Sequence, residues 1–208
     1  MTPEHQGDNL QRLRAGDDAV LGELFADYRE RLRRIVQFRL DYRLRGRIAE
    51  SDVLQDVFIR ASTRLNHYRQ KESMPFLVWL RLLVRQQLVD VHRRHLGAER
   101  RAADVEISLD HPISGDTSQA LAAHLAGRLT SVSQAIDRAE KISLLEKALN
   151  GMNEVDREVI ALRHFEELSS AETANVLGIE RAAASKRYVR AMARLEQILQ
   201  AIPDFQSE

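Results

Sequence analysis

The chain has 208 residues, 31 Lys/Arg balanced by 31 Asp/Glu, 44% hydrophobic residues and no cysteine. That is enough apolar material for one large or two small cores, while the missing cysteine excludes disulfides and thiolate metal sites. No apolar run reaches the length of a membrane-spanning helix and the N-terminus carries no signal-peptide pattern, so no span is expected and the cytoplasm is the expected address. The zero net charge hides a partition. Residues 28–101 hold 18 Lys/Arg against 8 Asp/Glu, residues 102–180 hold 6 against 14, and residues 181–208 hold 5 against 3. Clustered cations point to a polyanion. Nearly all of them are arginine, which contacts phosphate and guanine bidentately.

Few prolines and glycines, with abundant Leu, Ala, Arg and Glu, predict an all-α chain. Over residues 10–45, Leu10, Leu13, Val20, Leu21, Leu24, Phe25, Tyr28, Leu32, Ile35, Val36 and Leu40 keep helical spacing, with a break at Gly16-Asp17-Asp18. Residues 50–66 predict a second helix, with Ser51 as its N-cap and Val53, Leu54, Val57, Phe58, Ala61 and Leu65 as its stripe. A polar loop, His67–Pro75, leads to a third helix from Phe76 to about His95. Leu77, Leu80, Val84, Leu88 and Val91 form its core stripe, and Trp79 is expected in the core because large aromatics dominate packing. Gln86, Asp90, Arg93 and Arg94 share one face of that helix, and Arg81, Arg85 and His92 share another. His92 and His95 are three apart but have no carboxylate suitably placed, so no metal site is expected. Residues 102–140 are weakly periodic and contain Asp110-His111-Pro112-Ile113-Ser114-Gly115-Asp116; they read as a linker with residual helix. From about Lys141, Leu144, Leu145, Leu149, Met152, Val155, Val159, Ile160 and Leu162 predict a packed helix pair.

The most informative stretch is 168–199, LSSAETANVLGIERAAASKRYVRAMARLEQIL. Ser169 and Glu172 make a capping box that starts one helix. Gly178 suits a sharp C-terminal turn, and a second helix starts near Glu180. On that second helix Ala184, Tyr188, Met192, Leu195 and Leu199 fall on one stripe. Ala183, Lys186, Arg187, Arg190 and Arg194 fall on roughly the opposite face. One face packs and the other can meet phosphates and base edges, as in a DNA-binding helix-turn-helix; the alternative is an ordinary amphipathic helix pair with a solvated basic face.

Three blocks in order resemble the bacterial RNA polymerase sigma factors of the extracytoplasmic-function type. ESDVLQDVFIRA (50–61) is similar to the family's acidic-LVQEVFLRA segment, and FLVWLRLLVRQQLVDVHRR (76–94) to its F-x-x-W-L-x-x-I-A-x-N-x-x-x-D-x-x-R-R run. LNGMNEVDREVIALRHFEELSSAETANVLGI (149–179) is similar to its L-P-x-x-x-R-x-V-x-x-L-R segment and helix-turn-helix. The resemblance implies two small helical modules joined by a flexible linker. Residues 8–101 would bind core polymerase and the minus-ten promoter element, 102–140 would be the linker, and 141–202 would bind the minus-thirty-five element. The implied activity is promoter-directed initiation with help in melting DNA. No catalytic chemistry and no cofactor are implied.

The resemblance carries roles to particular residues. Asp52, Gln55 and Asp56, an acidic and amide patch in a basic module, would dock on the clamp helices of the polymerase's largest subunit. Taken alone, such a patch reads as a solvated face. Tyr68, Arg69, Gln70, Lys71, Glu72 and Ser73 occupy the loop that cradles a flipped minus-ten base in the family, a task needing stacking surfaces and polar groups. Arg85, Gln86, Arg93 and Arg94 would contact minus-ten DNA and its upstream backbone. Lys186, Arg187 and Arg190 would face minus-thirty-five DNA, with Arg181 and Arg194 near phosphates. The C-terminal module would hold the polymerase's flap, and an anti-sigma protein is an implied partner. The alternative is a stand-alone helix-turn-helix regulator with an N-terminal sensing or dimerisation module. Three departures stand out: Ala182-Ala183-Ala184 in the recognition helix, Asn153 where proline is common, and the long linker.

Overall fold

A computed structural model gives the fold of residues 3–71, 73–96, 115–129 and 135–201. The chain divides into two compact units, Met1–Leu109 and Asp110–Glu208. Apart from an isolated β-bridge between Arg45 and Ile48, the described residues form helices and turns.

In the first unit α1 runs Pro3–Ala15, α2 Leu21–Arg39, α3 Glu50–Thr63, α4 Leu65–Arg69 and α5 Phe76–Leu96. The predicted break after α1 is present. Gly16 has φ +109°, which an L side chain resists, and Asp17 caps the following short 3-10 turn by accepting from the Ala19 N–H at 3.2 Å. Helix α2 buries Leu24, Phe25, Leu32, Ile35 and Val36 against α3 and α5. Helix α5 is apolar on several sides because it is surrounded: Leu77, Val78, Trp79, Leu80, Leu83, Val84, Leu88 and Val91 are all buried.

Local starts and stops differ from expectation. Ala49, not Ser51, is the N-cap of α3, with no side-chain bond; Glu50 and Asp52 in the first turn complement the helix dipole instead. The expected loop from His67 is shorter, because α4 takes Leu65–Arg69 and leaves residues 70–75. The reason is Tyr68, which is buried and stacks on Trp79 with centroids 4.7 Å apart. Phe76 completes the cluster, 5.4 Å from Tyr68 and 5.6 Å from Trp79. Burial holds the Tyr68 phenol above its ordinary pKa, so it stays neutral.

The second unit contains α6 (Gly115–Leu129), α7 (Ala135–Asn150), α8 (Glu154–Ile160), α9 (Ser170–Leu177) and α10 (Arg181–Gln200). A π-helical turn, Ala161–Phe165, extends α8. Much of the expected linker 102–140 is therefore regular helix; its residues 102–114 and 130–134 lie outside the described residues. Helix α6 buries Leu121, Ala122, Leu125 and Ala126 and packs on α7 and the π-turn. Small alanines allow that close packing while giving a weak hydrophobic signal in the sequence. Val155, expected in the core, is 45% exposed, whereas Leu145, Leu149, Met152, Val159, Ile160 and Leu162 are buried as the periodicity requires. Asn153, where the resemblance implies a proline, caps α8 by accepting from the Asp156 N–H at 2.8 Å.

Two substitutions test these assignments by denaturant unfolding. Trp79→Ala empties the aromatic cluster and should cost the first unit about 3–5 kcal/mol. Gly178→Ala places a Cβ at the helix-ending φ of +63° and should cost the second unit about 1–2 kcal/mol.

Candidate functional site

Three surfaces carry the residues singled out in the sequence. On α3, Asp52, Gln55 and Asp56 are all exposed and lie within one turn and a half of each other. Asp56 accepts a hydrogen bond from the Gln87 side-chain amide of α5, so its carboxylate is oriented, while Asp52 sits in the first turn beside Ser51. The same face continues into Ile59, which is 53% exposed. Ile59 falls off the buried stripe, so periodicity alone hides it. Its spacing of seven from Asp52 is the signal that places it on the patch.

The second surface surrounds residues 70–75. Tyr68 lies beneath the surface, not on it. Arg69 is committed to the fold: Nε donates to the Leu13 carbonyl at 2.9 Å, Nη1 to Asn66 Oδ1 at 2.9 Å, and Nη2 pairs with Asp18. Gln70, Lys71 and Ser73 are exposed, and Glu72 lies outside the described residues. On α5, Arg93 and Arg94 are exposed and Arg85 and Gln86 half-buried. Gln86 accepts from Arg64 Nη1 at 2.7 Å, and Asp90 pairs with Arg60 at 2.6 Å. Arg60 and Arg64 thus join the face of Gln86 and Asp90. They belong to α3 and its C-cap, 22 to 30 residues away in sequence, so a single-helix reading cannot find them. His92 Nε2 accepts from the Asp41 N–H at 3.3 Å, which gives it a structural partner. Asp41 itself is held below the usual carboxylate range, first by its hydrogen bond to the Arg43 side chain. Among the described residues no cluster of three or more His, Asp or Glu is placed to hold a metal.

The third surface is the helix-turn-helix of α9 and α10. Its entrance is the capping box: the Glu172 N–H donates to Ser169 Oγ at 3.2 Å, and the Ser169 N–H to Glu172 Oε2 at 2.7 Å. Gly178 closes α9 in the left-handed conformation, and the Ile179 N–H bonds back to the Ala174 carbonyl at 3.1 Å. These bonds set the angle at which α10 leaves. Helix α10 buries Ala184, Ala191, Leu195 and Leu199. Arg181, Lys186, Arg187 and Arg190 lie on its outer surface, whereas Arg194 is 57% exposed and reaches back to Asp156 of α8 at 3.3 Å. A second anchor leaves no signal in the sequence: His164 of the π-turn hydrogen-bonds the Tyr188 hydroxyl at 2.8 Å, and the Arg163 guanidinium lies 5.3 Å from the Tyr188 ring centroid. Helix α10 is thereby fixed to the rest of its unit at two levels.

An all-helical chain with an arginine-rich first unit and a capped helix-turn-helix in the second has the build of a DNA-binding transcription protein. Comparison with known proteins narrows this. The profile of the ECF sigma factor family matches residues 5–201. The chain is 25% identical over 190 residues to the ECF RNA polymerase sigma factor BldN of Streptomyces coelicolor, covering 91% of this chain and 64% of BldN. It is 26% identical over 191 residues to the ECF RNA polymerase sigma factor SigD of Mycobacterium tuberculosis, covering 92% of this chain and 82% of SigD. It is 31% identical over 160 residues to RfaY of Xanthomonas campestris, named as a probable RNA polymerase sigma factor, but spans only 36% of that protein. The solved structure of CnrH in complex with the cytosolic domain of CnrY shares the fold, with a TM-score of 0.50 and 21% identity over 93% of this chain and 96% of that one. The chain belongs to the ECF sigma factor family.

No helix among the described residues is long and apolar enough to cross a membrane. The His164–Tyr188 anchor yields a direct check: Tyr188→Phe keeps the ring and removes the hydroxyl, and should lower the unfolding free energy of the second unit by about 1 kcal/mol.

Proposed function

We propose that this chain binds core RNA polymerase, carries it to particular promoters and helps to separate the strands at the start region. The observation that carries the reading is the capped helix-turn-helix presenting Arg181, Lys186, Arg187 and Arg190, within a chain matched by the sigma factor profile from residue 5 to 201. It acts by binding alone and performs no catalytic step, and it works where the polymerase does, in the cytoplasm.

The units divide the work. In the first, Asp52, Gln55 and Asp56 dock on the polymerase's clamp helices, where a small anionic face in a cationic body complements a basic partner. Gln70, Lys71 and Ser73 meet unpaired minus-ten bases, with Arg85, Gln86, Arg93 and Arg94 on the adjoining DNA. Tyr68 and Arg69 serve this surface from below, as supports. In the second unit α10 reads the minus-thirty-five element, and the apolar α7–α8 region holds the flap. Two alanines, Ala182 and Ala183, are exposed at the start of α10 and offer bases no hydrogen bonds, so the specificity rests on a few long cations and on groove shape. An anti-sigma protein that masks these surfaces is the expected regulator. CnrH, which shares the fold, is in complex with the cytosolic domain of CnrY. Tethering two weak readers makes the second contact intramolecular, so each unit needs only modest affinity.

In vitro transcription from genomic fragments, with core polymerase and this chain, should yield discrete start sites. Gel shifts separate this reading from a stand-alone regulator: a sigma factor needs core polymerase to bind promoter DNA tightly, and tight binding to a palindrome without polymerase would overturn the proposal. Replacing Asp52, Gln55 and Asp56 together with alanine should abolish pull-down of core while leaving the circular dichroism unchanged. Replacing Lys186, Arg187 and Arg190 should reduce the slope of log affinity against log salt by about 0.9 for each phosphate no longer neutralised. Arg194→Ala should change it less, because Arg194 is engaged with Asp156.

A further inference from the structure

Helix α1 reaches a part of the first unit where neither docking nor base contact assigns it a task. Arg14, half-buried near its C-terminus, donates from Nη2 to the Tyr68 hydroxyl at 3.3 Å and to the Met74 carbonyl at 3.2 Å. Its guanidinium carbon lies 5.1 Å from the Tyr68 ring centroid. Tyr68 precedes Gln70, Lys71 and Ser73, and Met74 follows them. We infer that Arg14 is a positioning residue for this surface loop: one guanidinium ties its two ends together, so that Gln70, Lys71 and Ser73 meet an unpaired base from a preset backbone. The inference rests on the proposed reading of that loop as the minus-ten base holder.

The surroundings support a clamp rather than a chance contact. The tie is reciprocal: Arg69 of α4 donates back to the Leu13 carbonyl of α1, the residue next to Arg14, and pairs with Asp18. Tyr68 cannot swing away, because it is stacked on Trp79 and packed against Phe76. Inside the loop the backbone makes two successive tight turns, Lys71 N–H to Tyr68 carbonyl at 2.9 Å and Met74 N–H to Lys71 carbonyl at 3.1 Å. Both turns hang between the two groups that Arg14 holds. A loop that must catch a base during strand separation pays the entropy of its own ordering unless that ordering is already done. A cation at the loop's base, reached through a neutral phenol and a carbonyl, orders it without occupying the surface where DNA arrives.

The test uses holoenzyme on a promoter mapped by its start site. Permanganate reactivity of unpaired thymines reports opening, binding to an upstream duplex fragment reports the second unit, and pull-down reports core affinity. Arg14→Met should lower opening about tenfold, the effect of removing one to two charge-assisted hydrogen bonds. Tyr68→Phe removes one of the two acceptors while keeping the ring packing, and should lower opening about threefold. Arg14→Lys should fall between Arg14→Met and the parent, and upstream and core affinities should not move. Abasic substitutions scanned along the unpaired strand supply the decisive readout. At the base held by the loop, parent and Arg14→Met should become equal, whereas a general folding role would lower opening equally at every position. Opening unchanged in Arg14→Met, while Gln70→Ala with Lys71→Ala lowers it, overturns the clamp and leaves the loop reading standing. Silence of the loop variants as well removes both. A joint loss of opening, upstream binding and core binding in Arg14→Met also overturns it.

Discussion

The stack of Tyr68 on Trp79 is the contact through which the first unit holds its surfaces in register. Trp79 belongs to the long helix α5, Tyr68 to the short α4, and Arg14 of α1 hydrogen-bonds the hydroxyl of the same tyrosine. Three helices are therefore joined through one aromatic pair. Ring pairs of this kind add specific geometry to area burial. Through it the end of α1 lies beneath residues 70–75 and α4 is held against the bundle. The polar residues on the surface then inherit their positions from an apolar event below them.

Much of the fold was legible from periodicity. The stripes of α2, α3, α5 and α10 bury nearly the residues their spacing names, and the break at Gly16 and the cap at Ser169 follow from backbone chemistry that few residues satisfy. What stayed hidden has physical reasons. Helix α6 packs through Ala122 and Ala126, whose small side chains give no hydrophobic contrast, and the turn-forming run Asp110–Asp116 before it reads as linker. Tyr68 and Arg69 read as surface-loop residues because the polar run His67–Pro75 and the family resemblance both place them in the base-holding loop. Only the tertiary partners, Trp79 on one side and Leu13 and Asp18 on the other, turn them into supports. The candidate surfaces were legible where residue type alone decides, as on α10. They were illegible where two helices build one face, as with Arg64 and Gln86.

Charged side chains in this molecule divide into those that hold the fold and those that face outward. Arg12, Arg14, Arg60, Arg69 and Arg194 all have protein acceptors. Lys186, Arg187 and Arg190 stand on the outer surface of α10. A basic composition therefore overstates the number of cations available to a polyanion. Exposed ion pairs such as Arg12–Asp17 contribute little to stability by themselves. The arginine–carbonyl contacts, partly buried, matter more, because they satisfy backbone acceptors at the end of α1 and in the loop before α5.

The acidic residues carried by α7, α8 and the turn before α9 have an electrostatic consequence. Residues 110–208 carry 11 Lys/Arg against 15 Asp/Glu, so the cationic tip of α10 is mounted on an anionic body. The net −4 of this unit opposes the long-range attraction for duplex that the five cations of α10 would exert alone. On the proposed reading of α10, its contacts with duplex then count at short range, once another contact has delivered the unit to its site.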